Sequence, residues 1–314
     1  MNTYSRSNMI GQPEYDNNFW AMMRGEDVQS EAINIGRESS SGLYCLPTTS
    51  ENKCVGMINA QSIFRNHATL FSCFKGSSRI ITADSNDIGM FISEDDEFPI
   101  DTLEDDFVSL AIERKKLGVL IKMSSEMVHD SPFDLENYLL KRLAKSIARG
   151  EDKAFITGNG TTEPYGLLHA TEGAEVAHTT ESLTFDDLVK LFYSVKPEYR
   201  QNAVWLMNDD MAMKLRLMKD ESSNWLWHEG PDTLFGHPVI ITEHMPDAEA
   251  GSKPVVFGDL SYYWIVKYSP LSMVRLMERF ALTDQMGVLA YEFINGRLVR
   301  KDAVKVIQIS EDEE

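Results

Sequence analysis

An apolar stripe with helical spacing is the feature that most constrains the fold of this chain. Leu135, Leu139, Leu143 and Ile147 recur four positions apart on one side of a helix, and the apolar pattern continues past Gly150 through Ala154, Phe155 and Ile156. Asp130 or Ser131 precedes Pro132 as a capping residue, and Gly158 follows the last apolar position. The spacing predicts one helix over 131–157, about 25 residues and about 38 Å long.

The glycine-rich stretch that follows, GNGTTEPYG at 158–166, resembles a phosphate-binding loop only in composition. A phosphate loop needs a strand before the glycines and a helix N-terminus after them, whereas here a helix precedes them. The negative end of that helix dipole faces the loop. We therefore expect 158–166 to turn the chain and to bind no small molecule.

The N-terminal segment up to about residue 50 is polar and interrupted by glycines, with a short helix near 18–24. Such an arm has no core of its own. We expect it either to be disordered or to lie on something else, a neighbouring subunit being one candidate.

Two strand-rich segments, 79–92 and 106–123, flank an acidic stretch and indicate a long projecting hairpin. Its tip carries four consecutive acidic residues: Glu94, Asp95, Asp96 and Glu97. A metal site there would need turn glycines and spaced ligands, which the tip lacks. A solvated or partner-facing acidic tip is therefore the favoured interpretation.

The rest of the chain alternates irregularly between helix and strand signals. Thr184 and Asp187 form a variant capping box, and Asn208 caps a second helix. Strands are predicted at 203–207, 238–242, 254–257, 263–267, 273–276, 288–294 and 303–309. Asn295-Gly296 is typical of a hairpin turn. The fold class is α+β, without the regular alternation of a doubly wound parallel sheet.

The charge of the chain excludes one large class of function. With 49 acidic and 30 basic residues the net charge is −19, which predicts repulsion from DNA, not a grip on its phosphates. No run of eighteen apolar residues indicates a membrane span, and the N-terminus lacks an apolar signal segment. Cys45, Cys54 and Cys73 match neither a disulfide framework nor a zinc spacing, so they are interpreted as packing residues.

Catalytic motifs are missing from the sequence. No histidine pair has the HExxH spacing, and no GxSxG or GxxxxGK[ST] pattern occurs. Acidic pairs such as Asp186-Asp187 and Asp209-Asp210 sit at predicted helix starts, where they favour the positive end of the helix dipole. We predict no catalytic, cofactor-binding or metal-binding residue, although an acid and a base from distant segments could still meet in space.

Five signatures, in order along the chain, carry a resemblance to a known family. They are SSEMVHDSPFDLENYLLKRLAKSIARGEDKAFITGNG at 124–160, EPYGLL at 163–168, VWLMN at 204–208, TLFGHPVIITEHMP at 233–246 and VVFGDLSYYWIV at 255–266. In this order they resemble the major capsid proteins of tailed bacteriophages with the Hong Kong 97 fold. NFWAMMRGED at 18–27 and EDDEFP at 94–99 match that family more weakly.

The resemblance implies a Hong Kong 97-like capsid fold of class α+β in four parts. They are an N-terminal arm and short helix (1–60), a linker and extended hairpin loop (61–123, the hairpin over about 79–123), a peripheral domain with the long spine helix (124–164 and 281–314) and an axial domain (165–280). It also implies a structural protein without enzymatic activity or cofactor.

The implied function is the geometry of a shell. Copies would assemble as hexamers and pentamers into an icosahedral head around double-stranded DNA, without sequence-specific contact and without a membrane. The protein would be part of the virion after assembly in the host bacterial cytoplasm. Its acidic surface fits an inner wall that repels phosphates and lets DNA be spooled in and ejected.

One subunit contact is predicted from charge. The acidic tip, Glu94 to Glu97, is expected to meet basic residues of an adjacent subunit. Candidates lie on the exposed side of the spine helix: Arg142, Lys145 and Arg149.

The chain departs from the family pattern in two places. Only 17 residues precede the NFW helix, so scaffolding is expected to be a separate protein, beside a portal. No lysine occurs between Gly76 and Arg114, so no covalent weld between subunits through a hairpin lysine is expected.

Two other interpretations stay open at this point. A nanocompartment shell of the encapsulin type, with the same fold, would enclose an enzyme in place of a genome, and the nucleic acid content of particles separates the two. A soluble enzyme with a dispersed carboxylate site would form a small oligomer, whereas a capsid protein forms rings or shells of very large mass.

Overall fold

A computed structural model describes residues 11–26, 28, 44–72, 79–83, 107–129, 134–228, 230, 232–276 and 278–311. Over these residues the chain forms two six-stranded sheets and one separate two-stranded sheet. The helices are α1 (Pro13–Arg24), α2 (Thr48–Asn59), α3 (Ile63–His67), α4 (Ser125–His129), α5 (Leu135–Thr157), α6 (Phe185–Ser194), α7 (Pro197–Arg200) and α8 (Asp209–Arg216).

The strands follow in chain order. They are β1 (Tyr44–Cys45), β2 (Thr69–Ser72), β3 (Arg79–Ala83), β4 (Phe107–Ala111), β5 (Lys115–Ser124), β6 (Glu175–Thr180), β7 (Val204–Met207), β8 (Thr233–Leu234), β9 (His237–Ile241), β10 (Val255–Gly258), β11 (Tyr263–Lys267), β12 (Ser272–Leu276), β13 (Gln285–Leu298) and β14 (Val304–Ile309). Short 3₁₀ turns occupy Leu260–Tyr262 and Glu278–Thr283.

The long predicted helix is α5, the spine helix of this chain. It ends at Thr157 as predicted, but it begins at Leu135, later than the predicted start at residue 131. Its cap is Asp134, whose side chain accepts a hydrogen bond from the backbone N–H of Asn137 at 3.1 Å. The cap proposed at Asp130 or Ser131 lies outside the described residues.

The first sheet packs on α5. Its strand order is β1-β12-β13-β11-β2, and β5 pairs antiparallel with β13 from Ser124–Gln285 to Lys115–Ile294. The leucine and isoleucine stripe of α5 packs against Ile121, Met273 and Val288, which lie on strands of this sheet.

Part of the predicted N-terminal arm belongs to this same core. Tyr15, Phe19 and Met23 of α1 are all at most 1% exposed, and they pack with the α5 stripe. Trp20 donates its indole N–H to Ser50 at 3.1 Å, which joins α1 to α2. Of the two outcomes expected for the arm, the described residues 11–26 and 44–50 therefore show the second: they lie on another part of the molecule, the spine helix and the first sheet of the same chain.

The second sheet has the strand order β6-β14-β10-β7-β9-β8. Two predicted caps are confirmed beside it. Thr184 and Asp187 form the capping box of α6, and Asn208 caps α8 by accepting from the N–H of Met211 at 2.7 Å.

The two sheets do not divide the chain at the predicted domain boundaries. Strands β11 and β12, within 165–280, pair in the first sheet, while β14, within 281–314, pairs in the second. The domain boundaries themselves stay a prediction.

The predicted hairpin turn at Asn295-Gly296 is wrong. Both residues lie inside β13, which is continuous from Gln285 to Leu298. The glycine is needed for a close approach, since a Cβ at Gly296 would lie 2.6 Å from the ring of Tyr263. A short polar side chain at Asn295 holds the strand to Glu113 by donating to its backbone carbonyl.

The base of the projecting hairpin is an antiparallel pair of β3 and β4, in which Ala83 lies opposite Phe107 and Arg79 opposite Ala111. The second predicted arm, 106–123, forms two strands, because β5 leaves the hairpin to join the first sheet. The acidic tip, Glu94 to Glu97, lies outside the described residues.

Candidate assembly surfaces

The spine-helix cations predicted to receive the acidic tip are exposed, as expected for Arg142, Lys145 and Arg149. Arg142 donates to the hydroxyl of Tyr138 at 2.6 Å and lies over its ring. Arg149 forms an exposed ion pair with Glu243. Two of the three cations are thus already engaged within the chain, and the contact with the tip stays a prediction.

The stretch at 158–166 is a turn, as predicted. Asn159 organises it by accepting from the backbone N–H groups of Thr161 at 2.9 Å and Thr162 at 3.1 Å. After the turn, the N–H groups of Leu167 and Leu168 donate to carbonyls in the last turn of α5 at 2.8 and 2.9 Å. Backbone N–H groups that follow the loop therefore pair with carbonyls at the end of α5 that have no partner within the helix.

A buried ionic cluster joins α3, α5 and the first sheet, and the sequence interpretation did not predict it. Arg65 makes two hydrogen bonds to Glu151, at 2.8 and 2.6 Å, and lies 3.4 Å from Glu292. All three side chains are at most 2% exposed. Lys267 extends the cluster, 3.5 Å from Glu292 and 3.2 Å from Glu51.

The next residue of the spine helix makes a second buried connection. Asp152 accepts hydrogen bonds from the Ser62 hydroxyl at 2.8 Å and from the N–H groups of Ile63 at 3.0 Å and Phe64 at 3.3 Å. It thereby caps α3 from another element. Glu151 and Asp152 together fix α3 against the spine helix.

A signal for this pair was present in the sequence. Glu151 and Asp152 lie four residues after Ile147 and Ala148 and four before Phe155 and Ile156, so they fall within the apolar stripe. A carboxylate in a buried stripe requires a partner. The partners themselves, 86 to 90 residues away along the chain, have no such local signal.

The environment of the cluster shifts its proton affinity. Burial raises the pKa of Glu151 to about 7, although the hydrogen bond and charge of Arg65 act in the opposite direction, and the like charge of Glu292 adds to the rise. Three carboxylates, on Glu51, Glu151 and Glu292, share two cations, so a proton in the cluster balances its charge.

Other chemical groups have packing roles. Burial raises the pKa of the Cys54 thiol to about 12, which makes it a packing residue and not a nucleophile. Among the described residues, no group of three His, Cys, Asp or Glu side chains could hold a metal ion.

Among the helices of the described residues, none is long and apolar enough to cross a membrane.

The model of the phage capsid family matches residues 42–309, a range that includes both sheets, the spine helix and the base of the hairpin. The chain belongs to the phage capsid family. As a phage capsid protein it is a structural component of the virion, not an enzyme, and it self-associates to build a shell.

Solved capsid structures share the fold. The capsid of an empty GTA particle is 26% identical over 80% of this chain and 90% of that chain, with a TM-score of 0.65. The capsid of a native GTA particle is 24% identical over 91% and 95%, also with a TM-score of 0.65. A structure from Gordonia phage Cozz has the same fold at 13% identity, 80% and 87% coverage and a TM-score of 0.57. No curated protein matches the chain.

These structures confirm the Hong Kong 97-like α+β fold expected from the sequence. In this phage capsid protein the buried cluster lies within one subunit, where it holds the spine helix, α3 and the first sheet together.

Proposed function

We propose that this capsid protein assembles as hexamers and pentamers into an icosahedral head that encloses double-stranded DNA without sequence-specific contact. The observation that carries the proposal is the family match over 42–309 together with the shared capsid fold. The capsid of the empty GTA particle was computed with C5 symmetry, and that five-fold symmetry supports a pentameric ring here.

The charge of the subunit supports the packaging part of the proposal. A net charge of −19 disfavours strong binding to phosphates, so packaged DNA would not adhere to the inner wall. Assembly in the host bacterial cytoplasm, a separate scaffolding protein and a portal complete the proposal, and they rest on the family resemblance.

Electron microscopy of the expressed protein tests the assembly. We expect rings of five and six subunits and closed shells, and the nucleic acid content of shells purified from infected or producing cells should be double-stranded DNA. A monodisperse small oligomer under all assembly conditions would contradict the proposal, and shells that hold a protein cargo without DNA would contradict its packaging part.

The hairpin contact is the subunit interface that the sequence predicts. Reversing the charges of Glu94, Asp95, Asp96 and Glu97 should impair particle formation, because four attractive contacts become repulsive at once. Normal shells from this variant would contradict the predicted role of the tip.

A further inference from the structure

The exposed face of the spine helix is basic throughout. The exposed side chains of α5 are five cations and two neutral polar groups: Lys141, Arg142, Lys145, Arg149, Lys153, Asn137 and Thr157. The acidic residues of α5 are not among them, since Glu136 is half-buried and Glu151 and Asp152 are buried. A chain with a net charge of −19 thus has one long helix whose exposed face carries cations and no carboxylate.

Three of the five cations lack a carboxylate partner. Lys141, Lys145 and Lys153 follow one another at four and eight residues, and we call them the lysine row. Among the residues that the structure describes, no Asp or Glu lies within ion-pair distance of any of them. The row extends about 18 Å along the helix. Its three positive charges are therefore available to a partner.

Other exposed lysines show the contrasting arrangement. Three of them lie outside α5 and are 48–64% exposed, each beside a carboxylate: Lys190 at 2.9 Å from Asp187, Lys196 at 3.1 Å from Asp302 and Lys301 at 3.6 Å from Glu172. We call these three the paired lysines. They show that exposure alone does not leave a lysine of this acidic chain without a carboxylate.

The composition of the face favours phosphates over a protein as its partner. None of the exposed side chains of α5 is apolar. A protein docked on this face would therefore find no apolar anchor, and such anchors dominate the binding energy of protein interfaces. Lysines alone, by contrast, are sufficient to bind the phosphates of nucleic acid, and they do so without reading its sequence.

An open depression beside the last turns of α5 provides room for a phosphate. Its volume is about 590 Å³, and it is lined by Arg149, Gly150, Lys153, Thr157, Glu243 and His244. The carboxylate of Glu243 is paired with Arg149, whereas Lys153 is unpaired. Burial lowers the pKa of His244, so this side chain adds no positive charge at neutral pH. The uncompensated charge of the depression is that of Lys153.

We propose that the lysine row is the surface through which the subunit contacts the phosphate backbone of packaged double-stranded DNA. The proposal rests on the enclosure of DNA proposed above and names the side chains that meet it. It differs from the contact predicted from sequence, in which the acidic tip of another subunit meets Arg142, Lys145 and Arg149. Two of those three are engaged within the subunit.

The contact is weak, and it is compatible with the net charge. Three lysine–phosphate contacts release about 2.7 counterions, whereas proteins that hold DNA tightly make roughly six to ten such contacts. The acidic remainder of the surface repels phosphates. Copies of the row in one shell add their small contributions. The packaged DNA is thus held loosely and in no fixed register, and it can still leave the shell.

The test measures the reactivity of individual lysines in three states of the unmodified chain. Reductive methylation with formaldehyde and a borane is applied to the unassembled subunit, to DNA-filled shells and to the same shells after their DNA has been released. Mass spectrometry gives the methylation rate of each lysine. The paired lysines are the control within the same molecule.

We expect the lysine row to react about threefold or more slowly in filled shells than in emptied ones, because a nearby phosphate favours the unreactive ammonium form. The paired lysines should react equally in both. If the row is equally protected in filled and emptied shells relative to the unassembled subunit, its partner is a protein segment. If it reacts equally in all three states, it has no partner. Either result would overturn the proposal.

Matched variants provide a second measurement. K141Q/K145Q/K153Q removes the lysine row, and K190Q/K196Q/K301Q removes the same number of charges from the paired lysines. Both should form shells at normal yield by electron microscopy. Filled shells of the row variant should release their DNA at a lower temperature than those of the control, because fewer contacts hold the DNA. Equal release temperatures, or a loss of shell yield in the row variant alone, would contradict the DNA contact.

The proposed function fails separately from this inference. If shells from producing cells contain no double-stranded DNA, the packaging proposal is wrong. If they contain DNA and the row is as reactive in filled shells as in emptied ones, only the contact is wrong. Thermal unfolding of the unassembled subunit shows whether each variant folds. If the row variant does not fold, the methylation rates of the unmodified chain decide.

Discussion

The two sheets of this capsid protein are held together in different ways. The first sheet collects strands from both ends of the chain. A buried ionic cluster of Arg65, Glu151 and Glu292 joins its strand β13 to α3 and α5, across as many as 227 positions. The second sheet lies within 175–309 and packs around aromatic rings. The ring centres of Trp205 and Phe257, for example, are 4.3 Å apart.

This difference shows where each region is vulnerable. The ionic cluster is strong only while it is complete, because removing one member leaves an uncompensated charge in a buried place. In an aromatic core, by contrast, a substitution lowers stability in proportion to the side-chain volume that it removes. The first region is therefore sensitive to single charges and the second to side-chain volume.

The largest effect is expected from R65M. It leaves Glu151 and Glu292 buried without their shared cation and should lower the free energy of unfolding by about 3–5 kcal/mol. Urea unfolding of the unassembled subunit measures this. The control is K190M in the second region, which removes an exposed partner of Asp187 and should cost less than about 1 kcal/mol. Equal losses of unfolding free energy in R65M and K190M would show that the buried cluster is no more sensitive to a missing charge than an exposed ion pair.

A smaller effect is expected from W205F in the second region. Trp205 is fully buried and donates its indole N–H to the carbonyl of Leu234 at 3.0 Å. The change leaves that carbonyl unpaired and a small cavity, at a cost of about 2 kcal/mol by the same unfolding measurement. The matched change W225F, at a side chain that is 46% exposed, should stay within about 0.5 kcal/mol.

The two regions should also respond to pH with opposite sign. Glu151 has an ordinary pKa of 4.5 and a pKa of about 7 in the folded subunit, so the folded state holds a proton that the unfolded chain has released. Stability from the first region therefore falls as pH rises from about 4.5 to about 7.

In the second region burial disfavours the charge of Asp187, but hydrogen bonds from Lys190 and Thr184 outweigh it and lower its pKa from 3.8 to about 2. Its contribution is therefore lost as pH falls through that range. The plot of unfolding free energy against pH should flatten between about pH 4.5 and 7 in E151Q and between about pH 2 and 3.8 in D187N. An unchanged slope in E151Q would show that Glu151 is not the group that titrates.

The smallest effect is expected from N208A, which removes the cap of α8. The side chain of Asn208 accepts from Met211 and donates to Asp247 at 2.6 Å. Its loss should cost about 1 kcal/mol in thermal unfolding. N202A, at an exposed position, is the control and should have no measurable effect. If N208A lowers thermal stability no more than N202A does, the Asn208 cap does not stabilise the second region.

The elements that the sequence predicted well depend on neighbours along the chain. The end of the spine helix, the capping box at Thr184 and the cap at Asn208 are confirmed, because each is a contact within four residues. The turn at 158–166 is confirmed for the same reason. The family, and with it the capsid function, was also readable from ordered local signatures.

The predictions that failed concerned contacts between distant segments. Asn295-Gly296 has the composition of a turn, but β13 runs through it. The glycine is required there for a different reason, because Tyr263 occupies the space that a side chain would take. The short helix of the arm was predicted at 18–24 but begins at Pro13, and the surface it would lie on was left open; its Phe19 packs in the core on the spine helix.

The sequence by itself determined the end of the spine helix, the caps at Thr184 and Asn208, the α+β class and the family, since capping, periodicity and local motifs are properties of adjacent residues. Only the tertiary structure decided which charges are compensated. Arg65 meets Glu151 in the core while Arg114 and Lys116 meet aromatic rings at the surface, because the partner of a charge is set by which strands become neighbours and not by its position in the chain.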